Sequence, residues 1–380
     1  MTLVYLVAGE QSGDVLGARL MAALRAARPD LAFAGVGGPR MQAQGLQSLF
    51  PMRDLAVMGL AEVLPRLALL RRRMAETVAD IEAKRPDVVV TVDSPSFGLR
   101  LLRRIPRCRR VQYVAPQAWG WREGRVRRFP GLWDRLLCLL PFEPGFFARH
   151  GLAASFVGHP VLESGADRGD AASFRARHAL GDAPLLLLMP GSRHSEISRL
   201  LPVYRDALAL LRARVPGLVA AMPLSANVAE AVRDSVAGWP QPPILLAGLD
   251  EKHDAYAAAA AAITKSGTST LELALAGVPM AVAYRVHPLT AALVRRMITL
   301  DHVAMVNVLA GREIVPELLQ ENCSPERLAA AAAALIGDPA AGATQRDAFR
   351  AIVASLAPTG RTPSEAAAAE ILTLLDGAPG

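Results

Sequence analysis

Ala261-Ala262-Ile263-Thr264-Lys265-Ser266-Gly267-Thr268-Ser269-Thr270-Leu271-Glu272 is the stretch from which the fold is read. Four apolar or β-branched residues end at Thr264, a glycine follows within three positions, and a helical pattern opens at Thr268 or Ser269. Gly267 lets the backbone turn where a Cβ would clash. A buried strand leading through a tight turn into a helix is half of a βαβ unit, and its partner follows at once in Gly277-Val278-Pro279 and the run Pro279–Ala283. The helix start leaves backbone N–H groups unpaired around Ser266, Gly267, Thr268, Ser269 and Thr270, an arrangement suited to a diphosphate. Glu272, one turn further in, is placed to accept hydrogen bonds from ribose hydroxyls. The same spacing of Thr or Ser before Glu also reads as a capping box with no ligand at all.

The pattern repeats outward from this point. Pro184–Met189, Leu218–Met222 and Ile244–Ala247 join the two runs above as one set of strands; Leu3–Ala8, Leu31–Val36, Asp87–Val92, Arg110–Ala115 and Arg135–Leu139 form another. Each is apolar from end to end and separated from the next by a helix-length segment. That is the requirement of a parallel sheet covered on both faces. The 380 residues exceed what one compact core holds, so two α/β domains are expected. A polar stretch, Gly165–Asp170, separates them, which gives residues 1–165 and 170–345; a helical tail, 346–380, could pack back on the first domain.

Ligands of open α/β sheets sit at the carboxyl ends of the strands, so the turns there carry the functional reading. Met189-Pro190-Gly191-Ser192-Arg193 ends a strand of the second half. Gly191 and Ser192 offer backbone N–H groups, and Arg193 can hold a phosphate in bidentate fashion; an ordinary turn with a solvent-facing arginine is the plain alternative. Gly248-Leu249-Asp250-Glu251-Lys252 is a weaker candidate for base contacts. In the first half, Gly9-Glu10-Gln11-Ser12-Gly13-Asp14 gathers Glu10, Ser12 and Asp14 where a sugar or phosphate could bind, although helix capping accounts for one of them. Asp93 stands at the tip of the strand 87–92. It is either a turn former or a general base that takes a proton from an acceptor hydroxyl. Trp119 and Trp121, with Pro116 and Gly120, read as a shaped loop for sugar stacking or as core.

Composition narrows the classes. No GxxxxGK[ST] loop, GxGxxG fingerprint or DxD pair occurs, which disfavours a P-loop NTPase, an NAD enzyme and a metal-clamped diphosphate. The three cysteines are widely spaced and form no CxxC pair, fitting a reducing compartment without disulfide or zinc. Mean hydropathy is high at +0.26, yet no apolar run reaches 18 residues, and the amino terminus reads as a strand rather than a signal peptide. Net charge is +7, with arginines crowded into the first 130 residues. Nucleic acid is disfavoured, because neither zinc-finger spacing nor an RNP-type strand accompanies the charge. One segment combines charge with an apolar face: Leu60, Val63, Leu64, Leu67 and Leu70 recur at helical spacing just before Arg71-Arg72-Arg73. It reads as a core helix or as a membrane-contact face through Val63, Leu64, Leu67 and Leu70.

Several of these motifs occur in an order that resembles one family. Val7-Ala8-Gly9-Glu10-x-Ser12-Gly13-Asp14, Gly37-Gly38-Pro39-Arg40-Met41, Leu55-Ala56-Val57-Met58-Gly59, Asp93-x-Pro95-x-Phe97, Pro116-x-x-Trp119-x-Trp121, Leu140-Pro141-Phe142-Glu143, Val157-Gly158-His159, Pro190-Gly191-Ser192-Arg193 and Asn307-x-Leu309-Ala310-Gly311-Arg312-Glu313 look like lipid-A-disaccharide synthases over residues 3 to 330. The resemblance implies a GT-B fold, two Rossmann-like domains with a facing cleft. It implies an inverting transfer from UDP-2,3-diacylglucosamine to 2,3-diacylglucosamine 1-phosphate (lipid X), with UDP released and no metal or other cofactor. It implies Asp93 as base, with Glu10 and Ser12 beside it, and Arg193, Glu272 and Asn307 on the nucleotide side. A cytoplasmic protein bound peripherally to the inner membrane follows from lipid substrates. Ser96 and Lys265 depart from the family pattern, which often has Asp and a small residue there. A UDP-GlcNAc 2-epimerase of the same fold and a peripheral membrane-binding module are the alternatives.

Overall fold

The computed structural model describes residues 2–55, 60–105, 108–120, 123–287, 291 and 300–377, with residues 60–65 as backbone only. The chain divides into two compact units, Met1–Pro160 with Leu356–Gly380, and Val161–Ser355.

The first unit runs β1 (Leu3–Ala8), α1 (Gln11–Ala27), β2 (Ala32–Val36), α2 (Pro39–Ala43), α3 (Leu60–Lys84), β3 (Val88–Val92), α4 (Pro95–Leu102), β4 (Arg109–Tyr113), β5 (Arg135–Cys138), α5 (Glu143–Ala148) and β6 (Ala154–Phe156). The second runs α6 (Ala171–Arg177), β7 (Leu185–Met189), α7 (His194–Arg214), β8 (Val219–Pro223), α8 (Ala229–Ala237), β9 (Ile244–Leu246), α9 (Leu249–Ala258), β10 (Ala261–Lys265), α10 (Ser269–Leu275), β11 (Met280–Tyr284), α11 (Met305–Ala310), β12 (Glu317–Leu319), α12 (Pro325–Gly337) and α13 (Pro339–Ser355). A last helix, α14 (Pro363–Asp376), belongs to the first unit.

Each unit holds one six-stranded sheet, ordered β2-β1-β3-β4-β5-β6 and β12-β11-β10-β7-β8-β9. The pairings are parallel throughout, with Val7 opposite both Val36 and Thr91, and Thr264 opposite Met189 and Val282. All five residues of β3 are buried, because helices cover both faces of the sheet. Leu16, Leu20, Met21 and Leu24 of α1 meet Ala367, Ala368 and Ile371 of α14 in one cluster; Met74 and Ile81 of α3 lie in the cluster on the other face. In the second unit, Ile197, Leu200, Leu201, Tyr204 and Leu208 of α7 pack with Leu328, Ala329 and Ala332 of α12. At about 1.5–3 kcal/mol for each large side chain fully buried, these layers dominate the stability of both units. All three cysteines are unpaired, with Cys138 and Cys323 buried.

The ten expected strands are present, but β6 and β12 are additional. Each has three half-buried residues at a sheet edge, too short for an apolar run to form. The division falls at Pro160 rather than within 165–170, and the chain returns at Leu356 rather than at 346. The reason lies in α13, where the Gln345 side chain accepts from Met280 N (2.8 Å) and donates to Met280 O (3.1 Å), tying that helix to β11. Only α14 returns to the first unit. Arg28 pairs with Asp376 at 2.6 Å, Ser155 Oγ donates to Glu370, and the Arg109 guanidinium caps the carbonyls of Leu375 and Gly377.

Candidate active site

Strand order fixes where each sheet can hold a ligand. Beside β1 the chain runs to β2 on one side and resumes with β3 on the other; beside β7 it runs to β8 and resumes with β10. Loops leave such a pair in opposite directions and open a crevice at the carboxyl ends, one in each unit.

At the first crevice Ser12 Oγ donates to Asp93 Oδ2 at 2.8 Å, joining the first turn of α1 to the tip of β3. Asp93 and Ser94 both adopt left-handed backbone conformations, with φ of 54° and 44°, at a cost of order 1–3 kcal/mol each for residues other than glycine. The neighbouring strand braces them. Asp93 N donates to Tyr113 O at 2.9 Å. The buried Gln112 side chain donates to the carbonyls of Asp93 (3.4 Å), Tyr113 (3.3 Å) and Val114 (3.1 Å), and accepts from Thr91 Oγ1 at 2.7 Å. Val114 is itself left-handed, φ 78°, so one amide holds three strained or turning carbonyls. Gly9 is required by contact, since a Cβ there would stand 2.6 Å from Ser94 Oγ. Glu10 is half-buried at the amino end of α1.

Asp14 does not join this group. It is buried, and its carboxylate accepts from the amides of Gly38 (2.9 Å), Arg40 (3.0 Å) and Met41 (3.0 Å), capping α2 from the side. Its expected share in ligand binding is corrected to a capping role. Trp119 Nε1 donates to Glu143 Oε1 at 2.8 Å, and Glu143 Oε2 also accepts the amides of Leu139 and Leu140 at 3.0 Å. Burial pushes the Glu143 carboxyl up to about 7 against the pull of those three donors. Trp121 lies outside the described residues.

At the second crevice a residue the sequence reading passed over, Glu196, is central. Its Oε2 accepts from Ser192 N (3.0 Å) and Arg193 N (3.3 Å), and its Oε1 meets Arg193 Nη1 (3.2 Å) and Lys265 Nζ (3.1 Å). Gly191 is left-handed, φ 117°, and a Cβ there would fall 2.2 Å from Glu196 Oε2. The amides of Ser192 and Arg193, one of them expected to face a phosphate, are therefore satisfied by this carboxylate. Glu196 was legible as the third residue of the helix that opens at His194, the glutamate position of a capping box.

The turn after β10 is tied internally by its hydroxyls. Ser266 Oγ donates to Val303 O (2.6 Å), Ser269 Oγ lies 3.0 Å from Thr264 Oγ1, and Thr270 Oγ1 donates to Gly267 O (2.8 Å). Thr268 is exposed, and the amides of Gly267, Thr268 and Ser269 take no backbone partner among the described residues. The helix opens at Ser269 as expected but runs only seven residues, so these amides matter more than its dipole. Glu272 Oε2 accepts from Tyr256 Oη at 3.0 Å and pairs with Lys252 at 2.8 Å. Leu249, in the turn expected to meet a base, is 53% exposed.

Two of the expected site residues, Asn307 and Leu70, have partners within the protein. Asn307 is buried, and its amide donates to Val315 O (2.9 Å) and Glu317 Oε1 (2.8 Å) while accepting from Ile314 N (2.8 Å) and Val315 N (3.0 Å). All its hydrogen-bonding capacity is engaged within the protein, so it organises the loop after α11 rather than touching a nucleotide. On the apolar face of α3, Leu70 packs against the core of the first unit and Leu67 is half-buried; the side chains of Val63 and Leu64 lie outside those described. Arg73 is bonded to Asp54 (2.7 Å) and Glu76 (2.6 Å) and lies 4.7 Å over the Phe50 ring, which leaves Arg71 and Arg72 as the exposed charges of the triplet. Among the described residues, no helix is long and apolar enough to cross a membrane and no cluster of three or more His, Cys, Asp or Glu is placed to hold a metal.

Two parallel sheets of this kind, each with its crevice at a switch point, define the GT-B class of α/β proteins. A calicheamicin glycosyltransferase structure matches with a TM-score of 0.57 over 100% of this chain and 99% of its own, at 18% identity. A UDP-GlcNAc 2-epimerase from Neisseria meningitidis bound to UDP-GlcNAc matches with a TM-score of 0.64 over 99% and 100%, at 11% identity; at such identities these likenesses show fold alone. The chain itself belongs to the lipid-A-disaccharide synthase family of glycosyltransferases. Residues 4–371 match the family described as lipid-A-disaccharide synthetase, and the lipid-A-disaccharide synthase of Granulibacter bethesdensis is 58% identical over 98% of both chains. The epimerase alternative has only the shared fold in its favour.

Proposed function

We propose that this chain transfers the sugar of UDP-2,3-diacylglucosamine to the 6-hydroxyl of 2,3-diacylglucosamine 1-phosphate, with inversion at C1 and release of UDP. The observation that carries the mechanism is the Ser12–Asp93 contact at the β1–β3 switch point, in a chain of this family. Asp93 accepts the proton of the acceptor hydroxyl as its oxygen forms the bond to C1. The bond from C1 to the diphosphate breaks, and its electron pair leaves with UDP. Ser12 holds the carboxylate oriented through the hydrogen bond it donates, and the Gln112 brace fixes the strained backbone beneath it. Glu10, at the head of α1, lines the same turn.

On the donor side, Arg193 and the amides of Gly267, Thr268 and Ser269 meet the charge that builds on the diphosphate. Its guanidinium side chain is 53% exposed while still tethered to Glu196, so it can turn to an anion without losing its anchor. Glu272 receives the ribose hydroxyls through the oxygen not shared with Tyr256 and Lys252. No metal takes part in this scheme. The acyl chains of both substrates bring the enzyme to the cytoplasmic face of the inner membrane as a peripheral protein, with the first unit toward the lipid.

The test is release of UDP measured with and without the acceptor. Acceptor-dependent release that persists in EDTA supports the proposal; release that ignores the acceptor favours an epimerase-like reaction, and loss in EDTA restored by magnesium would put a metal in the mechanism.

A further inference from the structure

We propose that Lys265 is a direct phosphate ligand of the donor site, held over the turn by Glu196; this rests on reading the β7–β10 switch point as the place where the diphosphate binds. Lys265 is the last residue of β10, and its side chain folds back across the turn that follows. The ammonium lies 3.2 Å from where a Cβ of Gly267 would stand. It is 18% exposed, and so less screened by solvent than a surface lysine.

The partner count gives the ammonium more than a neutralising task. Glu196 is already compensated without it, since Oε2 accepts two amides and Oε1 receives the Arg193 guanidinium. Arg193 and Glu196 alone sum to zero charge. Adding Lys265 leaves the turn with one net positive charge, next to the amides of Gly267 and Thr268, which take no backbone partner among the described residues. An ammonium carries three N–H donors, and Glu196 is its one hydrogen-bond partner among the described residues. Two donors remain for an incoming anion. Glu196 thus sets the position of the lysine while the lysine supplies charge that Arg193, committed in part to the same carboxylate, does not. A dianionic diphosphate recruits both cations; uridine, without phosphate, recruits neither.

The experiment is calorimetric titration of the full chain and of Lys265→Met and Lys265→Arg with UDP, and with uridine by displacement. Loss of one charge-assisted bond corresponds to about a 10- to 100-fold weaker affinity for UDP in Lys265→Met. Uridine affinity should stay unchanged, and Lys265→Arg should recover most of the UDP affinity. Unchanged UDP binding in Lys265→Met overturns the proposal, as does an equal fall for UDP and uridine, which would make the lysine a structural prop of the turn. Uridine binding also reports that the variant is folded. If the unsubstituted chain fails to bind UDP at all, the donor-site reading falls first and this proposal with it.

Discussion

At the residue scale, what each carboxylate touches decides its role. Among the described residues the Asp93 side chain has one hydrogen-bond partner, a serine hydroxyl, whereas Asp14 has three amides. Residue type could not separate them, because both stand just beyond the carboxyl end of a strand, Asp93 at the tip of β3 and Asp14 in the first turn of α1. What distinguishes them is the fold bringing α2 to Asp14. Asn307 shows the same limit, since its four partners come from Ile314, Val315 and Glu317, and nothing in its spacing announces that the loop closes around it. We expect Asp93→Ala to lower turnover by ~10²- to 10⁴-fold, the range for loss of a general base, while UDP affinity in calorimetry stays as in the parent. Near-normal turnover would remove Asp93 from the chemistry.

Glu143 yields a pH prediction on the same scale. Burial lifts its carboxyl from 4.5 to about 7, so the folded state favours the protonated form. Its contribution to stability is complete below about pH 4.5 and declines as pH rises through about 7. Because Trp119 Nε1 donates to this carboxyl, tryptophan emission should titrate with a midpoint near 7. The titration should vanish in Glu143→Gln; its survival there would assign it to another group.

At the scale of elements, strands were the most legible feature. Apolar runs such as Val88–Val92 and Leu185–Leu188 are buried on both faces, and only that environment tolerates such a run. The edge strands Ala154–Phe156 and Glu317–Leu319 carry polar residues and stay half-buried, so no pattern marks them. The helix α3 was ambiguous for a different reason, because an apolar stripe looks the same whether it meets a core or a lipid. Leu70 meets the core. Leu70→Ser should therefore lower stability by about 1–2 kcal/mol, part of the value of a fully buried leucine, and leave vesicle sedimentation unchanged. Lost sedimentation with an unaltered melting temperature would return Leu70 to the membrane face.

At the scale of the whole molecule, two parallel six-stranded sheets that differ in strand order each place a turn at a switch point. The first carries a candidate base and the second the cations and amides of a candidate diphosphate site. The order of strands was not written in any single motif; the alternation of elements was, and the motifs fell at the carboxyl ends that the order then made significant. The glycosyltransfer itself is the central claim. The most direct measurement is mass spectrometry of the lipid fraction after incubating the chain with UDP-2,3-diacylglucosamine and 2,3-diacylglucosamine 1-phosphate. The account predicts a tetraacyl disaccharide 1-phosphate that forms only when both precursors are present and is nearly absent with Asp93→Ala. Consumption of the UDP-sugar with no disaccharide in the unsubstituted chain would contradict it.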